Sequence, residues 1–150
     1  MDTQTIELLG RNRLMTELLH AGLEVAQPAR DRGIELIAYV DLESRVNAFV
    51  ACPIQMKAAS TRAFSLNRKY SKISNLILAY VWGLKEPEKA VTYAMTFHEA
   101  LAIAGHLNDF GLMTMPSRNA RNASSRLAGE QEPPISVVCA RNALTSSWSI

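Results

Sequence analysis

The chain has 150 residues, 48% hydrophobic and 20% charged, with a net charge of +2. Those figures suit one globular domain with a core of its own, and so even a charge balance does not by itself point to nucleic acid or a membrane surface. Two cysteines without metal-ligand spacing, Cys52 and Cys139, argue against a disulfide framework or a cysteine zinc site, and no run reaches the roughly 18 apolar residues of a membrane span. The opening MDTQTIELLG has an acid at position 2 and no long apolar run, unlike a secretory signal, so a cytoplasmic, reducing setting is expected.

In chain order, Ile6, Leu9, Leu14, Leu18 and Leu19 recur at three- and four-residue spacings and predict an amphipathic helix over 4–21. Gly22 is placed to end it, because glycine accepts the left-handed conformation common just past a helix. LEVAQP (23–28) reads as a short strand closed by Pro28. IELIAYVD (34–41) and VNAFVACPIQMKAA (46–59) read as two more strands joined by the polar LESR. Pro53 cannot donate to a sheet ladder and suggests a bulge or a free edge. Residues 60–75 are polar and basic and predict an irregular, exposed connection. LILAYVWG (76–83) is continuous enough in apolar character for a buried strand, VTYAMTF (91–97) for its partner, and HEALAIAGHLNDF (98–110) for a second helix. Composition then shifts. Residues 112–134, rich in Ser, Asn, Arg, Gly and Pro, predict a flexible linker, and 135–150 a late strand, ISVVCA, with a tail. The expected core domain is 1–111.

The strand pair carries the chemistry. Side chains alternate faces along a strand, so Glu35, Ile37 and Tyr39 share one face and Leu36, Ala38 and Val40 the other. Gln55 and Lys57, two apart, also share a face. If pairing sets the two polar faces on one side, Glu35, Gln55 and the carbonyl of Met56 offer three oxygens, the kind of ligand Mg²⁺ (or Mn²⁺) takes together with water. Lys57 would then stand beside the bound water and stabilise charge on a phosphate. The structural alternative is a Glu35–Lys57 pair at a sheet edge with Gln55 facing solvent.

The stretch GLEVAQPARDRGIELIAYVD…FVACPIQMKAAS resembles the PD-(D/E)XK nuclease superfamily, especially its small homing-endonuclease-like and Holliday-junction-resolvase-like members. Asp31, Gly33 and Glu35 fall on the Asp-x-Gly-x-Asp places, Gln55 and Lys57 on Gln-x-Lys, and Ala58, Ala59 and Ser60 on the small residues that follow. The likeness covers about residues 8–100. It implies an α/β fold with a restriction-endonuclease-like core, a central mixed sheet of four to five strands flanked by helices in α-β-β-β-β-β-α order. It also implies Mg²⁺-dependent hydrolysis of DNA phosphodiesters, with Glu35, Gln55 and Lys57 catalytic. Two departures matter. The acid usual on the first helix falls at Arg11, leaving Glu7, one turn earlier, as a substitute metal ligand or an ordinary solvated acid. Glu35 also replaces the usual Asp.

Other candidates are weaker. His98 and His106 are eight apart and do not form an i,i+4 chelating pair, and His20 stands alone. No glycine-rich phosphate loop or Gly-x-Ser-x-Gly elbow exists. The basic connection, with Arg62, Arg68, Lys69 and Lys72 and with Phe64 and Tyr70 interleaved, suits contacts to DNA phosphates, and Arg118, Arg121 and Arg126 could add to them. Two functions from different classes are therefore expected: a Mg²⁺-dependent endonuclease, or a nuclease-fold protein without catalysis that binds DNA or protein. A homodimer is expected from the small surface one such domain offers a duplex.

Overall fold

The computed structural model describes residues 1–30, 32–40 and 49–109, the last four as backbone only. The expected linker and C-terminal strand, Asp31, Cys139, the side chain of His106 and Arg118, Arg121 and Arg126 lie outside the described residues.

Helix α1 (Thr3–His20) starts where Asp2 caps it. The Asp2 carboxylate accepts from the Thr5 amide at 2.8 Å and from the Thr5 hydroxyl at 2.9 Å. Those bonds, the amide's first, hold the Asp2 carboxyl below its usual pKa. The helix ends as expected, with Gly22 at φ +78° donating to the Leu19 carbonyl at 2.9 Å. Its buried stripe is Ile6, Gly10, Leu14 and Leu18, a four-residue row. Leu9 and Leu19, expected on that stripe, are exposed. Arg13 ties the helix to the far edge of the sheet by donating to the carbonyl of Ala90 at 2.8 Å.

Five strands follow: β1 (Leu23–Ala26), β2 (Leu36–Val40), β3 (Ala51–Ala58), β4 (Ile77–Trp82) and β5 (Val91–Thr96). They lie side by side in chain order, antiparallel except for the parallel pair β3–β4. A parallel pair needs a crossover, here residues 59–76, which contain a short 3-10 helix, Arg68–Lys72. Helix α2 (Phe97–Asp109) follows β5 directly through a capping box. The Glu99 carboxylate accepts from the Thr96 amide at 2.6 Å and hydroxyl at 2.8 Å, while the Glu99 amide donates back to that hydroxyl at 3.3 Å. The observed order is the expected α-β-β-β-β-β-α.

The sheet divides two cores. On one face Leu36, Ala38, Cys52, Ile54, Met56, Ile77, Ala79 and Val81 pack with the α1 stripe. On the other, Leu78, Tyr80, Trp82 and Met95 pack with Tyr70 of the crossover and Ala100 of α2. All six residues of β4 are buried, as its unbroken apolar run predicts. Pro53, in contrast, does not mark an edge. β3 is the middle strand, and its ladder with β4 begins at Ile54, one residue past the proline, so the missing N–H costs that ladder nothing.

At Gly10 the helix meets the sheet so closely that a Cβ there would lie 2.6 Å from Ala58 Cβ and 3.3 Å from Leu84 Cδ1. Gly10→Ala should therefore destabilise the domain by about 1–3 kcal/mol through overpacking, although alanine is the better helix former by about 1 kcal/mol. Urea unfolding measures it. Adding Ala58→Gly should restore part of the loss, and simple additivity of the two changes would show that this contact does not limit the packing.

Candidate functional site

Pairing of β2 with β3 sets Leu36 opposite Ile54, Ile37 opposite Pro53 and Tyr39 opposite Ala51. Glu35, just ahead of β2, donates its backbone N–H to the Ile54 carbonyl at 2.9 Å. Alternation then brings Glu35 and Gln55 to one face, the face away from α1. Their side chains meet. The Gln55 amide nitrogen donates to Glu35 Oε1 at 2.5 Å and to the Met56 carbonyl at 3.0 Å. Gln55 is 3% exposed, so it does not face solvent as the structural alternative expects. The reverse orientation of its amide would set an oxygen against two acceptors. Gly33, at φ +100°, makes the turn beside it, where a Cβ would lie 3.9 Å from Gln55 Oε1. Conformation rather than space calls for glycine there.

Lys57 is turned elsewhere. Its ammonium lies 5.6 Å from the centroid of the buried Tyr70 ring, and that of Lys69 lies 5.1 Å from the same centroid. This replaces the Glu35–Lys57 pair of the structural alternative with a shared aromatic contact. Glu7 is exposed on α1, whose buried stripe packs on the opposite face of the sheet from Gln55. Arg11, at the usual place of the first-helix acid, is half-buried. His20 and His98 are exposed.

Among the described residues no group of three or more His, Cys, Asp or Glu could hold a metal ion. Among those residues Glu35 is the carboxylate that meets Gln55, and the point between its oxygen and the Met56 carbonyl holds an N–H donor, whereas magnesium takes oxygen acceptors.

The basic connection is more ordered than its composition predicts. Tyr70 is buried beneath it. Asn67 caps the 3-10 helix by accepting from the Lys69 amide at 2.9 Å. Phe64 stacks on Tyr80 with ring centroids 5.0 Å apart, and the Tyr80 hydroxyl donates to the Ser65 carbonyl at 2.9 Å. Burial, with neighbouring Tyr70, pushes the Tyr80 hydroxyl well above the usual phenol range. Arg62, Arg68, Lys69 and Lys72 all remain exposed, and among the described residues none is in an ion pair. A signal missed by local reading lies in the longer window. Between Glu43 and Glu86 the sequence contains no Asp or Glu.

This architecture, one helix, a mixed five-stranded sheet and a second helix, is consistent with a restriction-endonuclease-like fold in general. No protein-family model matches the chain, and neither a curated protein nor a solved structure matches it. No helix among the described residues is long and apolar enough to cross a membrane.

Gln55→Leu should cost about 1.5–3 kcal/mol, because it removes a hydrogen bond to a charged group and strands a backbone carbonyl. Lys57→Ala should cost less than about 1 kcal/mol, the value of a partly exposed cation–π contact. Urea denaturation compares them, and the opposite ranking would make Lys57 the structural residue of the site.

Proposed function

We propose that the chain is a nucleic-acid-binding module on a nuclease-like scaffold, with DNA as its partner and no hydrolytic step of its own. The observation that carries this reading is the exposed crossover, Arg62, Arg68, Lys69 and Lys72, held in place over Tyr70 within a window that contains no acid. A polyphosphate strand releases its counterions to such a surface, and backbone contacts of this kind position a nucleic acid without reading its sequence. The Gln55 amide bridging Glu35 and Met56 supports the noncatalytic half of the reading, since it commits the amide N–H donors to two protein acceptors.

A second reading, Mg²⁺- or Mn²⁺-dependent hydrolysis of DNA with Glu35, Gln55 and Lys57 catalytic, is favoured by the convergence of Glu35, Gln55 and the Met56 carbonyl on one face. Glu7, on the other side of the sheet, would not join it without rearrangement. Incubation of the purified chain with plasmid DNA separates the two. The binding module leaves the plasmid intact in Mg²⁺, in Mn²⁺ and in EDTA alike. Nicking that needs the divalent ion and is abolished by Lys57→Ala would establish the hydrolase instead.

In the binding reading, replacing Arg68, Lys69 and Lys72 together with alanine should flatten the slope of log affinity against log salt by about 2–3, near 0.7–0.9 for each phosphate no longer neutralised. Fluorescence anisotropy over a salt series measures this, and an unchanged slope would place the DNA surface elsewhere.

A further inference from the structure

The face that holds Glu35 and Gln55 extends beyond them along β3, and its character changes steadily. At one end Tyr39 of β2 and Phe49, just ahead of β3, lie with ring centroids 5.6 Å apart and tilted, and Phe49 is 65% exposed. Next come Ile37 and Pro53, register partners and both half-buried. The Glu35–Gln55 pair follows, and then Lys57 with Tyr70 and Lys69. From Ala51, beside Tyr39, to Lys57 the strand runs about 20 Å. Helix α1 covers the opposite face of the sheet, and α2 packs on β4 and β5. Among the described residues, then, no helix packs over this side of β1, β2 and β3; Gln55 and Tyr70 are themselves buried, so the accessible groups of the stripe are the rings at one end and the lysines at the other.

We infer that this stripe is a platform for a single-stranded polynucleotide, with bases stacking on Phe49 and Tyr39 and the phosphodiester backbone reaching Lys57 and Lys69. The inference rests on the nucleic-acid reading above and specifies its substrate. An exposed ring beside a sheet offers a π-face to any base, but only to a base that is not already stacked and paired in a duplex. The charge pattern selects the same occupant. The cations stand at one end of the stripe in the acid-free window and the rings stand at the other, so a strand lying along β3, with a phosphate and a base at every nucleotide, can meet cations with its phosphates at the first and rings with its bases at the second. Among the described residues Glu24, exposed, stands opposite Tyr39 in the β1–β2 register. A carboxylate is tolerable at that end because base edges carry amino donors, such as cytosine N4, that it accepts.

The test is anisotropy of the full chain with a labelled single-stranded oligodeoxynucleotide of about twelve nucleotides and with the blunt duplex of the same length. The single strand should bind more tightly. Phe49→Ala should weaken single-strand binding about tenfold or more while leaving duplex binding within about twofold, and Phe49→Trp should keep it. Lys57→Ala and Lys69→Ala should each weaken both ligands and lower the salt slope by about 0.7–0.9. Phe49 is exposed, so its variants should melt with the wild type, and the comparison of single strand with duplex needs no variant. Duplex binding equal to or tighter than single-strand binding overturns the platform and leaves the DNA-binding reading standing. So does an unchanged single-strand affinity in Phe49→Ala. If neither oligonucleotide binds, the nucleic-acid reading fails and the platform with it.

Discussion

Alternation along β3 is the constraint on which the rest of this molecule depends. Cys52, Ile54 and Met56 are committed to the core beneath α1, where Gly10 lets the helix approach Ala58. That commitment fixes the other parity, Ala51, Pro53, Gln55 and Lys57, to the opposite face. A slip of one residue would turn Lys57 into the helix interface and Met56 out of it, and the cost of burying an ammonium there makes the register unambiguous. The functional face is in this sense a by-product of a well-determined core: nothing on it has to secure its own position.

Gln55 shows how a polar group can be held inside such a sheet. A primary amide carries two donors, and both nearby acceptors, one charged and one from the main chain, turn toward them. The same three groups would read differently around a cation, where the amide would have to present its oxygen. The chemistry of the site therefore turns on which end of one side chain faces inward, and here it is the donor end. A nuclease-like architecture does not decide the matter, because function resides in the site rather than in the scaffold.

Much of the fold is legible in the sequence because the strongest signals are physical ones of period and punctuation. The unbroken apolar run of β4, the β-rich runs of β2 and β3 and the glycine after α1 each map onto an element within a few residues. The errors have equally specific causes. Leucine's apolar character suggests Leu9 and Leu19 for the buried stripe, yet the stripe follows a strict four-residue row in which glycine at position 10 takes the place of a larger side chain. Pro53 suggests an edge because proline lacks a donor, but only the extent of the β3–β4 ladder, a long-range property, shows that this is harmless. Composition makes residues 60–75 look irregular, and the buried Tyr70 and half-buried Phe64 that anchor them contact residues distant in sequence. At the candidate site, alternation within each strand puts Gln55 and Lys57 on one face, while the meeting of Gln55 with Glu35 requires the register between strands. The turn of Lys57 toward Tyr70 requires the crossover.

β4 belongs to both cores at once: Ile77, Ala79 and Val81 serve the α1 side, and Leu78, Tyr80 and Trp82 serve the other. Neither helix layer can therefore come away without uncovering one side of a strand that is apolar on both. Nor can β4 leave without opening two apolar layers together. Melting of one half of the molecule is thereby made expensive to the other half, and a chain with two separate packing clusters is bound into a single cooperative unit by the strand that has no solvent face.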